Sequence, residues 1–250
     1  MQFLRSLLFT ILFFAVSLAY ATVLLITAPV PVSVHRRFWF PRTWGKVNLW
    51  LLKAIVGLDY VVSGRENLPD EAFISMWKHS STWETFAQMV EIPTSTWIQK
   101  RELLWIPLVG LATLLFKPIT INRKAGHSAV NQVVSQGRER LESGLGVTIY
   151  PEGTRVAPGQ TRKYGISGAL LASRTGRLVV PVAHNAGHFW GRRGLLKHPG
   201  TVQMVIGPPI DPSGLEPREI NQRAQSWIEA NVAGMSIEEK GCLLYTSPSP

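Results

Sequence analysis

The 250-residue sequence predicts an α/β layered domain on a central, mostly parallel sheet, preceded by an N-terminal transmembrane helix and an interfacial helix. Three observations carry that expectation. Short apolar runs alternate with longer mixed segments in one series after residue 57, as in strands joined by helical crossovers. No repeat or linker divides the series, so residues 58–236 read as one domain. Ahead of it, Ser6 to Val30 runs 25 residues without a charge, and about 20 apolar residues suffice to span a bilayer.

The anchor takes residues 1–30. A cleaved signal sequence is the competing reading, because Arg5 gives a basic start and Ala19-Tyr20-Ala21 has the small-x-small form of a cleavage site. The apolar run continues through Val23, Leu24, Leu25 and Ile26, which favours a retained helix. Arg36, Arg37, Arg42 and Lys46 follow it, against Arg5 before it, and the larger basic excess belongs on the cytoplasmic side. Residues 31–57 mix Trp39, Phe40, Trp44 and Trp50 with Arg42, Lys46 and Lys53. They predict a helix from about Thr43 to Val56, lying in the headgroup layer or packed on the domain.

Within the domain, strands are expected at Tyr60–Val62, Phe73–Trp77, Thr96–Ile98, Ile119–Ile121, Val147–Tyr150, Leu178–Val182 and Val202–Ile206. Helices are expected at Ser81–Val90, Ile106–Phe116, Ser128–Glu142, Ile166–Arg174 and Pro217–Val232. In the third of these, Ala129, Val133, Val134 and Leu141 make an apolar side against Gln136, Arg138 and Glu139. Residues 237–250 lack periodicity, carry two Ser-Pro steps, and read as a disordered or non-native tail.

Charge and cysteine content narrow the function. The formal net charge is +10, and between Lys100 and Gly200 fifteen Lys or Arg stand against four Glu. Such a field suits an anionic membrane surface or a phosphorylated substrate, and without a nucleic-acid-binding motif it does not point to nucleic acid. The single Cys242 excludes an internal disulfide and a cysteine metal site, and the six His show no metal-binding spacing.

Two segments could carry chemistry. His79 follows a predicted strand, and Ser81-x-x-Glu84 has the form of a capping box that starts the next helix. Five residues apart, His79 and Glu84 differ by about 140° on a regular helix, so they can meet only if His79 lies in the approach loop and Glu84 in the first turn. The carboxylate would then hold one ring nitrogen and leave the other to take a hydroxyl proton. Downstream, Tyr150-Pro151-Glu152-Gly153-Thr154-Arg155 ends a strand in a glycine turn, with a hydroxyl and a guanidinium able to grip phosphate. Glu152 could hold Arg155, bond to glycerol hydroxyls, or face water. Lys100, Arg101, Arg123, Arg162 and Lys163 add positive charge after strands or in loops, and His184 and His188 are secondary candidates suited to loop hydrogen bonding.

At these residues the chain resembles the glycerolipid acyltransferases, and most closely the bacterial 1-acyl-sn-glycerol-3-phosphate acyltransferases. His79-Ser80-Ser81-Thr82-Trp83-Glu84 matches the family's His-x4-Asp motif with Glu in the acidic place. Gln99 to Leu103 through Ile119 to Arg123 resembles the second region, Pro151 to Arg155 is a complete Pro-Glu-Gly-Thr-Arg motif, and Leu178 to Val182 resembles the fourth through Pro181. The resemblance implies that His79 is a general base oriented by Glu84. It further implies that Lys100, Arg101, Arg123, Glu152, Gly153, Thr154 and Arg155 bind acceptor and phosphate, with Lys163 and Pro181 in secondary roles. It implies an acyl-CoA or acyl carrier protein thioester as donor, a lysophospholipid acceptor, no bound cofactor or metal, and a place on the cytoplasmic face of the bacterial inner membrane. The competing readings are an acyltransferase for another lysolipid, such as lyso-ornithine lipid, and a non-catalytic membrane lipid-binding protein. A thioester hydrolase is disfavoured, because no Gly-x-Ser-x-Gly elbow occurs.

Overall fold

The structure is a computed structural model that describes residues 1–121 and 127–235. Seven strands form its sheet: β1 (Leu58–Ser63), β2 (Ile74–Trp77), β3 (Ser95–Lys100), β4 (Ile119–Ile121), β5 (Gly146–Ile149), β6 (Val179–His184) and β7 (Gly200–Ile206). The helices are α1 (Gln2–Ile26), α2 (Val34–Arg37), α3 (Trp39–Leu51), α4 (Trp83–Glu91), α5 (Val109–Leu114), α6 (His127–Glu142), α7 (Ser167–Thr175), α8 (Ala186–Phe189) and α9 (Pro217–Gly234).

The sheet order is β1-β7-β6-β2-β5-β3-β4, and every neighbouring pair is parallel except β6 with β7. The sheet is therefore mixed. The strands β6, β2, β5, β3 and β4 point one way, so the residues that follow them collect at one edge. Pro181 sits within β6 opposite Met76, and its carbonyl accepts from Gly207 N–H just past the end of β7. Its missing N–H thus falls where the antiparallel ladder has already ended.

Strand periodicity splits the core in two. Val180 and Val182 face one side with Leu58, Trp77, Trp83, Phe86 and Leu52, beneath α3 and α4. Val179 and Ala183 face the other with Ile74, Met76, Val147 and Ile149, beneath α6, α7 and α9. This is the alternation expected of a sheet covered on both faces.

Two helices differ from expectation at their starts. The interfacial helix begins at Trp39 and not near Thr43, because Pro41 is tolerated in a first turn, whose N–H groups have no partners within the helix. The helix expected over Ile106–Phe116 is present but starts late, as the short α5 at Val109, and a 3₁₀ stretch (Arg101–Trp105) precedes it. Pro107 and Leu108, with Leu108 at φ 60°, break the chain between them.

Helix α1 is long and apolar enough to cross a membrane, with mean hydropathy 2.4 over its best window. It does not stand apart from the domain. Ser6, Phe9, Ala21 and Leu24 form its buried face, while Phe3, Leu4, Ile11, Phe14 and Leu18 are at least half exposed on the other. The Ser6 hydroxyl donates to the Lys197 carbonyl (3.3 Å) and accepts from its N–H (3.0 Å), and Lys197 Nζ donates to Thr10 Oγ1 (2.7 Å). Farther along, Trp44 Nε1 donates to Ser17 Oγ at 3.1 Å. Phe9 is fully buried and meets Trp190 edge-on at 5.7 Å.

If α1 is a packed layer of the fold, Phe9→Ala should destabilise the detergent-solubilised protein by about 3–5 kcal/mol, as for other buried aromatics. Thermal unfolding checks this. An unchanged midpoint would mean that α1 is detached.

Candidate functional site

The site is built where β2, β5 and β6 end side by side. Strand β2 terminates at Trp77, and the loop Lys78–Thr82 carries the chain into α4. His79 lies in that loop and Glu84 in the first turn of α4, the arrangement that the five-residue separation requires. His79 Nδ1 and Glu84 Oε1 form a short hydrogen bond. Glu84 Oε2 accepts from the N–H groups of Ser80 (3.1 Å) and Ser81 (3.0 Å), so the carboxylate starts the helix and orients the histidine together. The Ser81 hydroxyl meanwhile accepts from Trp83 N–H at 3.1 Å.

A second histidine meets the same carboxylate. His184, the last residue of β6, places Nε2 2.9 Å from Glu84 Oε2 and 3.0 Å from the Lys78 carbonyl. Glu84 is completely buried, and burial alone would push its carboxyl up. The charge of His79 and hydrogen bonds from both histidines outweigh that penalty and hold it down at about 2. His79 is the exposed member: its side chain is 15% accessible, and its ring stacks on Tyr150 at 4.4 Å. Among the described residues no hydrogen bond occupies His79 Nε2, which leaves that nitrogen open to a substrate hydroxyl.

The Pro151–Arg155 turn closes over the loop from the β5 side. Gly153 takes φ +70°, and its N–H donates to the Tyr150 carbonyl (3.0 Å), so that N–H belongs to the turn and not to an oxyanion. Val156 N–H donates to the His79 carbonyl at 2.8 Å. Glu152 neither faces water nor pairs with Arg155 among the described residues. Its carboxylate turns inward, accepting from His79 N–H (2.9 Å) and lying 3.5 Å from Lys78 Nζ. Burial raises its carboxyl, opposed by the His79 N–H and the Lys78 charge.

Lys78 is a site residue that the sequence reading missed. Only 2% exposed, its ammonium donates to both oxygens of Glu229 on α9 (2.9 and 3.0 Å) and to the Gln160 carbonyl (3.2 Å). Tyr164 completes the cluster by donating to Glu229 Oε1 at 2.9 Å. The signal was a lysine ending the apolar run Phe73–Trp77, since a buried ammonium must find a carboxylate.

The basic candidates are placed unequally. Arg155 is half-buried, forms no ion pair among the described residues, and lies near enough for its charge to act on the Tyr150 hydroxyl. Thr154 beside it is half-buried. Lys100 and Arg101 are exposed at the end of β3, on the same sheet edge but two strands from His79, roughly 10 Å at ordinary strand spacing. Lys163 is exposed, and no hydrogen bond or ion pair among the described residues joins it to His79. His188 is exposed on α8. Arg123 and residues 237–250 lie outside the described residues. No cluster of metal-ligating side chains occurs among the described residues.

A profile of the acyltransferase family matches residues 59–185, half of the chain and every element of this site on β2, β5 and β6. The chain belongs to the acyltransferase family. It is 39% identical over 239 residues to a 1-acyl-sn-glycerol-3-phosphate acyltransferase of Pseudomonas aeruginosa, covering 94% of this chain and 93% of that one. A protein of the same name from Borreliella burgdorferi is 29% identical over 182 residues, 70% of this chain and 69% of the other. The crystal structure of a 1-acyl-sn-glycerophosphate acyltransferase from Thermotoga maritima superposes with TM-score 0.78 at 24% identity, covering 94% and 97% of the two chains, which establishes the shared fold. The acyltransferase is thus an enzyme with a membrane-associated apolar helix, and its His–Glu pair is buried at the expected edge.

Because the folded-state pKa of Glu84 is depressed, its ionisation stabilises the protein fully above the unfolded value of about 4.3 and is lost as pH falls toward 2. The stability advantage of wild type over Glu84→Gln should therefore narrow across that window. Urea unfolding at several pH values measures it, and a constant difference would contradict an ionised Glu84.

Proposed function

We propose that this acyltransferase transfers a fatty acyl group from an acyl-CoA or acyl carrier protein thioester to the free sn-2 hydroxyl of 1-acyl-sn-glycerol 3-phosphate, giving phosphatidic acid. The observation that carries the reading is one imidazole held at Nδ1 by a buried, ionised carboxylate and open at Nε2, beside a guanidinium with no ion-pair partner among the described residues. The named activity of the Pseudomonas aeruginosa relative, aligned almost end to end, supports the choice of acceptor.

In this reading His79 Nε2 takes the hydroxyl proton as the oxygen attacks the thioester carbonyl, and Glu84 stabilises the imidazolium. The tetrahedral intermediate collapses with cleavage of the C–S bond, and the leaving thiolate takes the proton back from His79. A C–O bond replaces a C–S bond, and no acyl-enzyme is needed. Arg155 grips the acceptor phosphate through its planar fork, and Lys100 and Arg101 supply positive charge farther along the edge. Glu152 contributes by fixing the His79 backbone and not by touching the acceptor.

A matrix of donors and acceptors in detergent, followed by thiol release and lipid product, tests the assignment. His79→Ala should lower kcat by about 10²- to 10⁴-fold with the fold intact. Arg155→Lys should lose efficiency chiefly on phosphate-bearing acceptors. Normal turnover by folded His79→Ala would remove the base role, and a preference for an acceptor without phosphate would remove the acceptor assignment.

We place the enzyme on the cytoplasmic face of the bacterial inner membrane, with α1 immersed along its exposed apolar face but not crossing. A crossing α1 would drag the polar ties to Lys197 and Trp44 into hydrocarbon, where unshielded polar groups are costly. The basic residues after α1 supply attraction to anionic lipid. With Cys242 replaced by Ser, cysteines at Gln2 and Pro31 should both react with an impermeant maleimide only from the cytoplasmic side. Labelling of either one from the periplasm would establish a spanning helix instead.

A further inference from the structure

The site holds two histidines against one carboxylate, and the proposed chemistry uses one. His184 cannot share the base role. It is 1% exposed, and both of its nitrogens are engaged: Nδ1 accepts from Ala186 N–H at 3.3 Å, while Nε2 faces Glu84 Oε2 and the Lys78 carbonyl. An Nδ1 that accepts an N–H carries no proton, so the proton sits on Nε2 and is donated toward two oxygens. Trp77 and Trp83 wall the ring at centroid distances of 6.3 and 5.5 Å and are themselves fully buried. This is a fixed donor in an apolar slot.

Resting on the His79–Glu84 reading, we propose that His184 is a positioning residue that sets both the orientation and the basicity of Glu84. Its Nε2–H ties Oε2 to β6, which leaves Oε1 aimed at His79. The same bond links the catalytic loop to the strand through the Lys78 carbonyl, directly before His79. Its hydrogen bond is one of the influences that keep Glu84 ionised despite burial. Without it the carboxylate has fewer donors, is more basic, and holds the proton of the dyad to higher pH. The other groups that face this centre are His79 from the β2 loop, Tyr150 and Glu152 from the β5 end, Arg155 beyond them, and Lys78 beneath. Of these, His79 alone makes a side-chain hydrogen bond to Glu84 among the described residues, so a change seen on altering His184 reports on the carboxylate it touches.

Three variants test this, assayed as full-length protein in detergent with the acyl donor and acceptor of the wild-type assay. His184→Met removes the donor at similar volume, His184→Gln carries an amide about as far as Nε2, and His184→Asn carries one that stops short. His184→Met and His184→Asn should lower kcat on the order of tenfold to a hundredfold with KM little changed, as a misplaced catalytic group does. In both, the acid limb of the kcat/KM–pH profile should move to higher pH. His184→Gln should recover most of kcat and return the limb toward wild type. If His184→Met fails to fold, the Gln and Asn pair carries the same comparison. Wild-type kcat and pH profile in His184→Asn would overturn the proposal, as would equal damage in the Gln and Asn variants. His79→Ala, run in the same series, separates the two levels: its full activity would remove the dyad reading itself. An inactive His79→Ala beside an unaffected His184→Asn would remove the role of His184 alone.

Discussion

One buried charge organises the site. A carboxylate without solvent access is costly unless every lone pair finds a donor, and Glu84 finds four: two ring nitrogens and two backbone N–H groups. Those donors come from β6 and from the loop after β2, while the first turn of α4 supplies the carboxylate. Each must arrive in register, so the parallel pairing of β2 with β6 is a requirement of the charge as well as of the sheet. The tryptophans around the carboxylate deepen the penalty for any error and so narrow the range of structures that the loop can adopt.

A second buried cluster works one layer below. Lys78 pairs with both Glu152 and Glu229, and so ties the Pro151–Arg155 turn, the His79 loop and α9 to one ammonium. Breaking such a buried set leaves uncompensated charge, a far larger penalty than losing a surface pair. The motif that looks like a binding turn in sequence therefore has a split character. Glu152 faces the scaffold, while Arg155 keeps its guanidinium free of ion pairs among the described residues.

The sequence made the strands legible because each is marked by a short apolar run, and all seven fall where those runs lie. The His79–Glu84 pair was legible because both members lie on one local segment. The reversal of β7 was not, since nothing in Val202–Ile206 records the direction of its neighbour. Neither were the ties of Glu229 to Lys78 and of His184 to the Lys78 carbonyl, whose members lie more than a hundred residues apart. Glu152 was legible as a candidate but its partner was not, because a carboxylate beside an arginine suggests a local pair and only the tertiary fold supplies His79 N–H. The late start of α5 was not legible in the apolar spacing from Ile106, because Pro107 and the positive φ of Leu108 interrupt the helix there.

The staple between Ser6 and Lys197 has a mechanical consequence. The segment carrying Lys197 leaves β6 just beyond His184, so the start of α1 is fastened to the sheet edge that holds His79. In the proposed placement, internal packing would fix the height of His79 Nε2 above the lipid headgroups, with no tether whose length or slack could vary. On that reading a lipid held in the same leaflet would meet the site by sliding sideways, and the search for the hydroxyl would become two-dimensional.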